Sequence, residues 1–156
     1  MAPLLALLFA AAAGAVEPVT LVFPSGGRLA GVLLSEDRGL YVLERDGGQL
    51  EFPHAAVAEV VRAPNAEGEF RVREAALPPK DADALWDLAR FAAENGLLGR
   101  ANRTARRVLA LEADHPGARA FLGYELVFGE WLSGDALKRA RGWVRHEGTW
   151  MTLAQR

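Results

Sequence analysis

The sequence predicts an α+β fold, and three observations carry that expectation. Five short β-rich runs, broken by Gly, Pro and Asp turns, fill residues 18–63. Two stretches of helical apolar period follow in residues 82–122. An eleven-residue aromatic phrase is then written twice in residues 123–156. Residues 64–81 read as a linker, and residues 1–15 as a signal peptide.

The leader is "MAPLLALLFAAAAGA", uncharged in its side chains and apolar from Ala2 to Ala15. Ala13-Gly14-Ala15 has the small-residue pattern of a cleavage site, ahead of the polar switch at Glu17-Pro18. Cleavage after Ala15 is expected, giving a periplasmic or secreted protein with no transmembrane segment after cleavage. The chain has 156 residues, 51% of them hydrophobic, a net charge of −2 and no cysteine. That composition supports a real core and gives no global pull toward nucleic acid. It excludes disulfides, thiol catalysis and thiolate metal sites.

The β-rich runs are Val19–Phe23, Arg28–Ser35, Gly39–Arg45, Gly48–Pro53 and Val57–Arg62. Asp46-Gly47 between two apolar runs is a hairpin cue, and Val19, Leu21 and Phe23 alternate as a half-buried strand does. Five short strands suggest a strongly curved sheet or a barrel. The order of strand, glycine, Leu-x-Gly-Val, Tyr-Val-Leu and hairpin over Pro18–Arg62 resembles SH3-like and Sm-like small barrels. In the linker, Phe70 and Val72 offer one more strand.

Asp81 is a predicted N-cap for a helix from Ala82 to Glu94, with Leu85, Leu88, Ala89 and Ala92 on one face and Asn95-Gly96 as its stop. A second helix carries Ala101, Ala105, Val108 and Leu111 inward and ends at Asp114-His115-Pro116. A short third helix begins at "GARAFLGY". The helical pair over Asp83–Gly123 resembles one tetratricopeptide repeat plus the start of a capping helix. A single such repeat cannot bury its own face, so it needs a partner surface in the chain or outside it.

The doubled phrase is "GYELVFGEWLS" and "GWVRHEGTWMT", nineteen positions apart from Gly123 to Gly142. Each copy reads as a tight hairpin with Phe128-Gly129 or Glu147-Gly148 as its two-residue loop. That register sets Leu126 opposite Trp131 and Arg145 opposite Trp150, a cation–π pair. "GDALKRARG" between the copies reads as a helix with Ala136, Leu137 and Ala140 inward, and Thr152 to Gln155 has capping-box spacing. The stretch Asp114–Thr152 resembles a module of uncharacterised exported bacterial proteins, in which a helical hairpin runs into hairpins of the form G-[YW]-x4-G-x-W. No activity comes with that resemblance.

Two readings of the aromatics stand side by side. Large rings dominate core burial, so the tryptophans are packing anchors. Alternatively Tyr124, Trp131, Trp143 and Trp150, with Arg145, form an exposed ledge for a cell-envelope peptide or glycan. A basic stripe, Arg100, Arg103, Arg106 and Arg107, lies opposite the apolar face of the second helix and is either solvated or a docking site.

Catalytic signatures are missing from the sequence. His54, His115 and His146 have no companion at zinc-helix spacing, and Ser25, Ser35 and Ser133 sit in no nucleophile elbow. The glycine-rich Pro24–Gly31 lacks the Lys-Ser/Thr of a phosphate loop. Glu36, Asp37, Glu44 and Asp46 are the carboxylates nearest to a dyad. The expectation is a non-enzymatic protein-binding or scaffolding module of the periplasm or cell envelope. Its partners are other proteins, and it uses no nucleic acid, cofactor or metal. The alternatives are a carboxylate-dependent hydrolase or an accessory domain of one, and an Sm-like RNA-binding protein if the leader is not a signal peptide.

Overall fold

The computed structural model describes residues 16–155, so the expected leader and its cleavage after Ala15 lie outside the described residues. The chain is mixed α and β, and it divides into two compact units between Val72 and Arg73.

The first unit is a five-stranded antiparallel sheet of β1 (Glu17–Val22), β2 (Arg28–Asp37), β3 (Leu40–Arg45), β4 (Gly48–Pro53) and β5 (Glu59–Arg62). The strand order is β4-β3-β2-β1-β5. The turns explain why the meander closes so tightly. Gly26, at φ +83, donates to the Phe23 carbonyl at 2.8 Å, and Phe23 donates back to the Gly27 carbonyl at 2.9 Å. Arg38-Gly39 and Asp46-Gly47 both take positive φ, the mirror-image turn whose twist matches that of paired strands. Register shifts between Leu33 and Ser35, leaving Leu34 as an extra residue. Such a bulge bends a strand, and β2 accordingly pairs β1 through its first half and β3 through its second. Val19, Leu21, Leu33 and Leu43 form the core, with Phe23, Tyr41, Phe52 and Val60 packed against it. Arg62 bridges Glu17 at 2.6 Å and Glu36 at 3.0 Å. The Glu17 hydrogen bond, more than any other interaction, raises the guanidinium above its ordinary range.

The sheet keeps two edges, β4 and β5, which do not pair with each other among the described residues. It is an open sheet, not a closed barrel. The expected extra strand at Phe70 and Val72 is also corrected, because this segment is helix α1 (Ala66–Ala75). Asn65 accounts for it. Its Oδ1 accepts from the Gly68 N–H at 3.0 Å, as an N-cap does. Its Nδ2 donates to the Val19 carbonyl at 3.0 Å and the Gly31 carbonyl at 2.9 Å, tying the helix start to β1 and β2. Phe70 is 2% exposed, whereas Val72 faces out.

The second unit holds α2 (Ala82–Glu94), α3 (Leu98–Leu111), α4 (Pro116–Phe121), hairpin β6 (Glu125–Val127) with β7 (Glu130–Leu132), α5 (Gly134–Ala140), and hairpin β8 (Val144–His146) with β9 (Thr149–Met151). The Asp81 side chain caps α2 by accepting from Ala84 N–H at 2.8 Å. Gly96, at φ +75, ends it, with Leu97 N–H donating to the Ala92 carbonyl at 2.8 Å and Gly96 N–H to the Ala93 carbonyl at 3.1 Å. Ala82, Leu85, Ala89, Ala105, Val108 and Ala118 form the core, bordered by Leu77, Trp86, Leu109 and Leu122. Trp86 lies against His115, with ring centroids 5.2 Å apart, and directly over Gly117. Leu111 is exposed rather than inward, and in α5 only Leu137 is buried while Ala136 and Ala140 are exposed.

Candidate functional site

Gly123 and Gly142, which open the two phrases, turn out to end helices. Both take positive φ, +80 and +79. After α4, Gly123 N–H donates to the Ala120 carbonyl at 3.0 Å and Tyr124 N–H to the Arg119 carbonyl at 2.9 Å. After α5, Gly142 N–H donates to the Arg139 carbonyl and Trp143 N–H to the Lys138 carbonyl, both at 2.9 Å. The two sets of bonds match at the same nineteen-residue offset. The repeated unit is therefore a short helix, a glycine stop and a hairpin, longer than the phrase that first shows it.

The hairpins have the expected register, with Leu126 opposite Trp131 and Arg145 opposite Trp150. Phe128-Gly129 and Glu147-Gly148 supply two consecutive positive φ values in each turn. Each second-strand tryptophan then meets a cation from the helix before it. The Arg119 guanidinium lies 5.9 Å from the Trp131 ring and the Lys138 ammonium 5.5 Å from the Trp150 ring. Arg119 also sits 4.7 Å from the Tyr124 ring and donates to the Ala113 carbonyl at 2.8 Å. Arg145 does not take the cation–π role expected of it. Its Nε donates instead to the Gly148 carbonyl at 3.3 Å, along its own hairpin.

Trp150 has one more anchor, donating its indole N–H to Asp135 Oδ1 at 3.0 Å. The first copy has Pro116 at that position, which offers no side-chain acceptor. Tyr124, Trp131 and Trp150 are half-buried, and Trp143 is 37% exposed. Tyr124, Trp131 and Trp150 are thus held against their helices while keeping an accessible edge. Arg119, Lys138 and Asp135 escaped the sequence reading. Extending the nineteen-residue offset back into the helices pairs Arg119 with Lys138 and would have found those two; Asp135 falls opposite Pro116 and leaves no such signal.

The basic stripe is only partly a stripe. Arg103, Arg106 and Arg107 are exposed, and Arg107 pairs with Glu74 at 2.6 Å. Arg100 is 6% exposed, because four-residue spacing places it in the buried row with Thr104 and Val108. The imagined carboxylate dyad is dispersed into separate contacts. Glu36 pairs with Arg62, Glu44 with Arg71 at 3.2 Å, and Asp37 Oδ1 accepts from the Arg38 N–H at 2.7 Å. Buried Glu67 accepts from the Asp46 N–H at the tip of the β3–β4 hairpin.

His115 Nδ1 caps α4 by accepting from Ala118 N–H at 3.1 Å. His54 stacks on Tyr41, with centroids 4.2 Å apart, and its Nε2 is buried without a hydrogen-bond partner. Among the described residues, no cluster of three or more His, Asp or Glu could hold a metal ion, and no helix is long and apolar enough to cross a membrane. Comparison of the chain with protein-family models, curated proteins and solved structures finds no match.

Proposed function

We propose that this chain is an exported, non-enzymatic protein-binding or scaffolding module of the periplasm or cell envelope. One observation carries the reading: Tyr124, Trp131, Trp143 and Trp150 recur at equivalent positions of a repeated helix–hairpin unit; Tyr124, Trp131 and Trp150 are held against helix cations without being fully buried, and Trp143 is exposed. Pre-oriented rings lose little conformational freedom when a partner lands on them, which favours a binding surface. The leader-like residues 1–15 support export. We read the first unit as an SH3-like sheet left partly open, on the strength of its β4-β3-β2-β1-β5 order and the bulge in β2. The α2–α3 pair is read as tetratricopeptide-like, with alanines at the contact.

In-cell photo-crosslinking tests the reading. A photoreactive phenylalanine at position 143 is expected to trap a discrete protein adduct in the envelope fraction, and Trp131→Ala with Trp150→Ala is expected to reduce it. The same probe at exposed Glu94 serves as control. Equal trapping from both positions, or none from position 143, contradicts the ledge.

A further inference from the structure

Phe128 is 99% exposed at the tip of the β6–β7 hairpin, with φ +52. That conformation strains most residues with a Cβ, and Gly, Asn and Asp tolerate it best. The residue therefore adds neither burial nor turn preference to its own fold. Leu126 on the same hairpin is also exposed. Acidic Glu130 follows the turn, opposite Val127.

Between α2 and α3 lies a cavity of about 290 Å³ lined by Leu85, Ala110 and Leu111, with Lys80 and Arg107 as its polar members. It is an open depression rather than an enclosed cavity, and its volume exceeds that of a benzyl group, so a side chain reaching in from outside has room on its apolar floor. Lys80 and Glu130 are both exposed, and neither has an ion-pair partner among the described residues. Their charges are complementary. Two other cavities match less well. The groove at Pro18, Pro64, Gly68 and Val72 carries Glu69, which opposes Glu130. The one at Phe91 has its ring already covered by Arg73, 4.0 Å from the centroid.

From this match of ring to cavity and of Glu130 to Lys80, we infer that a second copy of this chain is the partner of Phe128. The hairpin tip of one copy enters the Leu85/Ala110/Leu111 cavity of the next. Two different surfaces meet, so the contact is head-to-tail and builds a ring or a short open chain. One aromatic anchor with one ion pair makes a small interface, so association is weak, with Kd on the order of 0.1–1 mM. The inference is independent of export and of the aromatic ledge.

Analytical ultracentrifugation of the purified chain over a concentration series tests it. The average mass is expected to rise with concentration for the natural sequence and to stay monomeric for Phe128→Asn. Asn suits the turn, so an unchanged or higher melting temperature shows that the fold is intact. Lys80→Glu and Glu130→Lys are each expected to weaken association several-fold, and an equimolar mixture of the two to regain it. A natural chain that is monomeric throughout overturns the inference and leaves a different protein as the occupant. Association unchanged in Phe128→Asn overturns it equally.

Discussion

The Trp150 indole N–H donates to Asp135 Oδ1 at 3.0 Å, locking the second hairpin to the start of α5. The Lys138 ammonium lies over the same ring, so helix and hairpin are joined at one side chain by two kinds of interaction. A double-mutant cycle with Asp135→Ala and Trp150→Phe, read by urea denaturation, is expected to give a coupling of about 0.5–1.5 kcal/mol. Coupling near zero would mean that the bond contributes nothing measurable. Trp131→Phe, where the equivalent position is Pro116, is expected to lose less than Trp150→Phe.

The Asn65 side chain makes three hydrogen bonds, one as a helix cap and two to strand carbonyls. Asn65→Ala is expected to cost about 2–4 kcal/mol, adding the loss of a cap to two carbonyls left unpaired. Asn65→Asp keeps the cap acceptor but cannot donate to Val19 and Gly31, so it is expected to rescue little. Chemical denaturation of both variants separates the two roles. Recovery of full stability by Asp would assign the whole effect to the cap.

Gly31 sits where a Cβ would come within 2.6 Å of Leu43 Cγ and 2.7 Å of the Glu44 carbonyl oxygen. Gly31→Ala must push a strand aside and is expected to destabilise by about 1–3 kcal/mol or more. Gly27→Ala is the control, since its nearest contact is Ser25 Oγ at 3.5 Å, and it is expected to stay within about 0.5 kcal/mol of the natural chain. Thermal melts of the two compare them directly.

The five strands were legible because local signals agreed: period-two apolar residues bounded by Gly, Pro and Asp turns. The helix from Ala82 to Glu94 was legible through Asp81, Gly96 and its apolar face. Helix α1 was not, because Phe70 and Val72 alternate as a strand does and Gly68 weakens the helical signal. What fixes that helix is Asn65 bonding to carbonyls 46 and 34 positions away, information that no local window contains. Arg100 was misplaced for a similar reason, since a charge suggests solvent while four-residue spacing places it in the buried row. In the doubled phrase, the rings were visible in the sequence but their partners were not. Arg145 is the cross-strand neighbour of Trp150, yet the cation comes from α5, one element earlier.

Glu147 holds φ +49 at the tip of the second hairpin. Left-handed backbone costs an ordinary residue roughly 1–2 kcal/mol, and Asn relieves part of that strain. Glu147→Asn is expected to stabilise the chain by about 0.5–1 kcal/mol in a thermal or urea melt. A loss of stability would show that the Glu147 side chain has a structural role of its own.

Export of a binding module is tested most directly by intact-mass spectrometry of the chain recovered from fractionated bacterial cells. The predicted result is a protein beginning at Val16, found outside the cytoplasm. A chain retaining its leader in the cytoplasm would contradict export, and with it the assignment to the cell envelope.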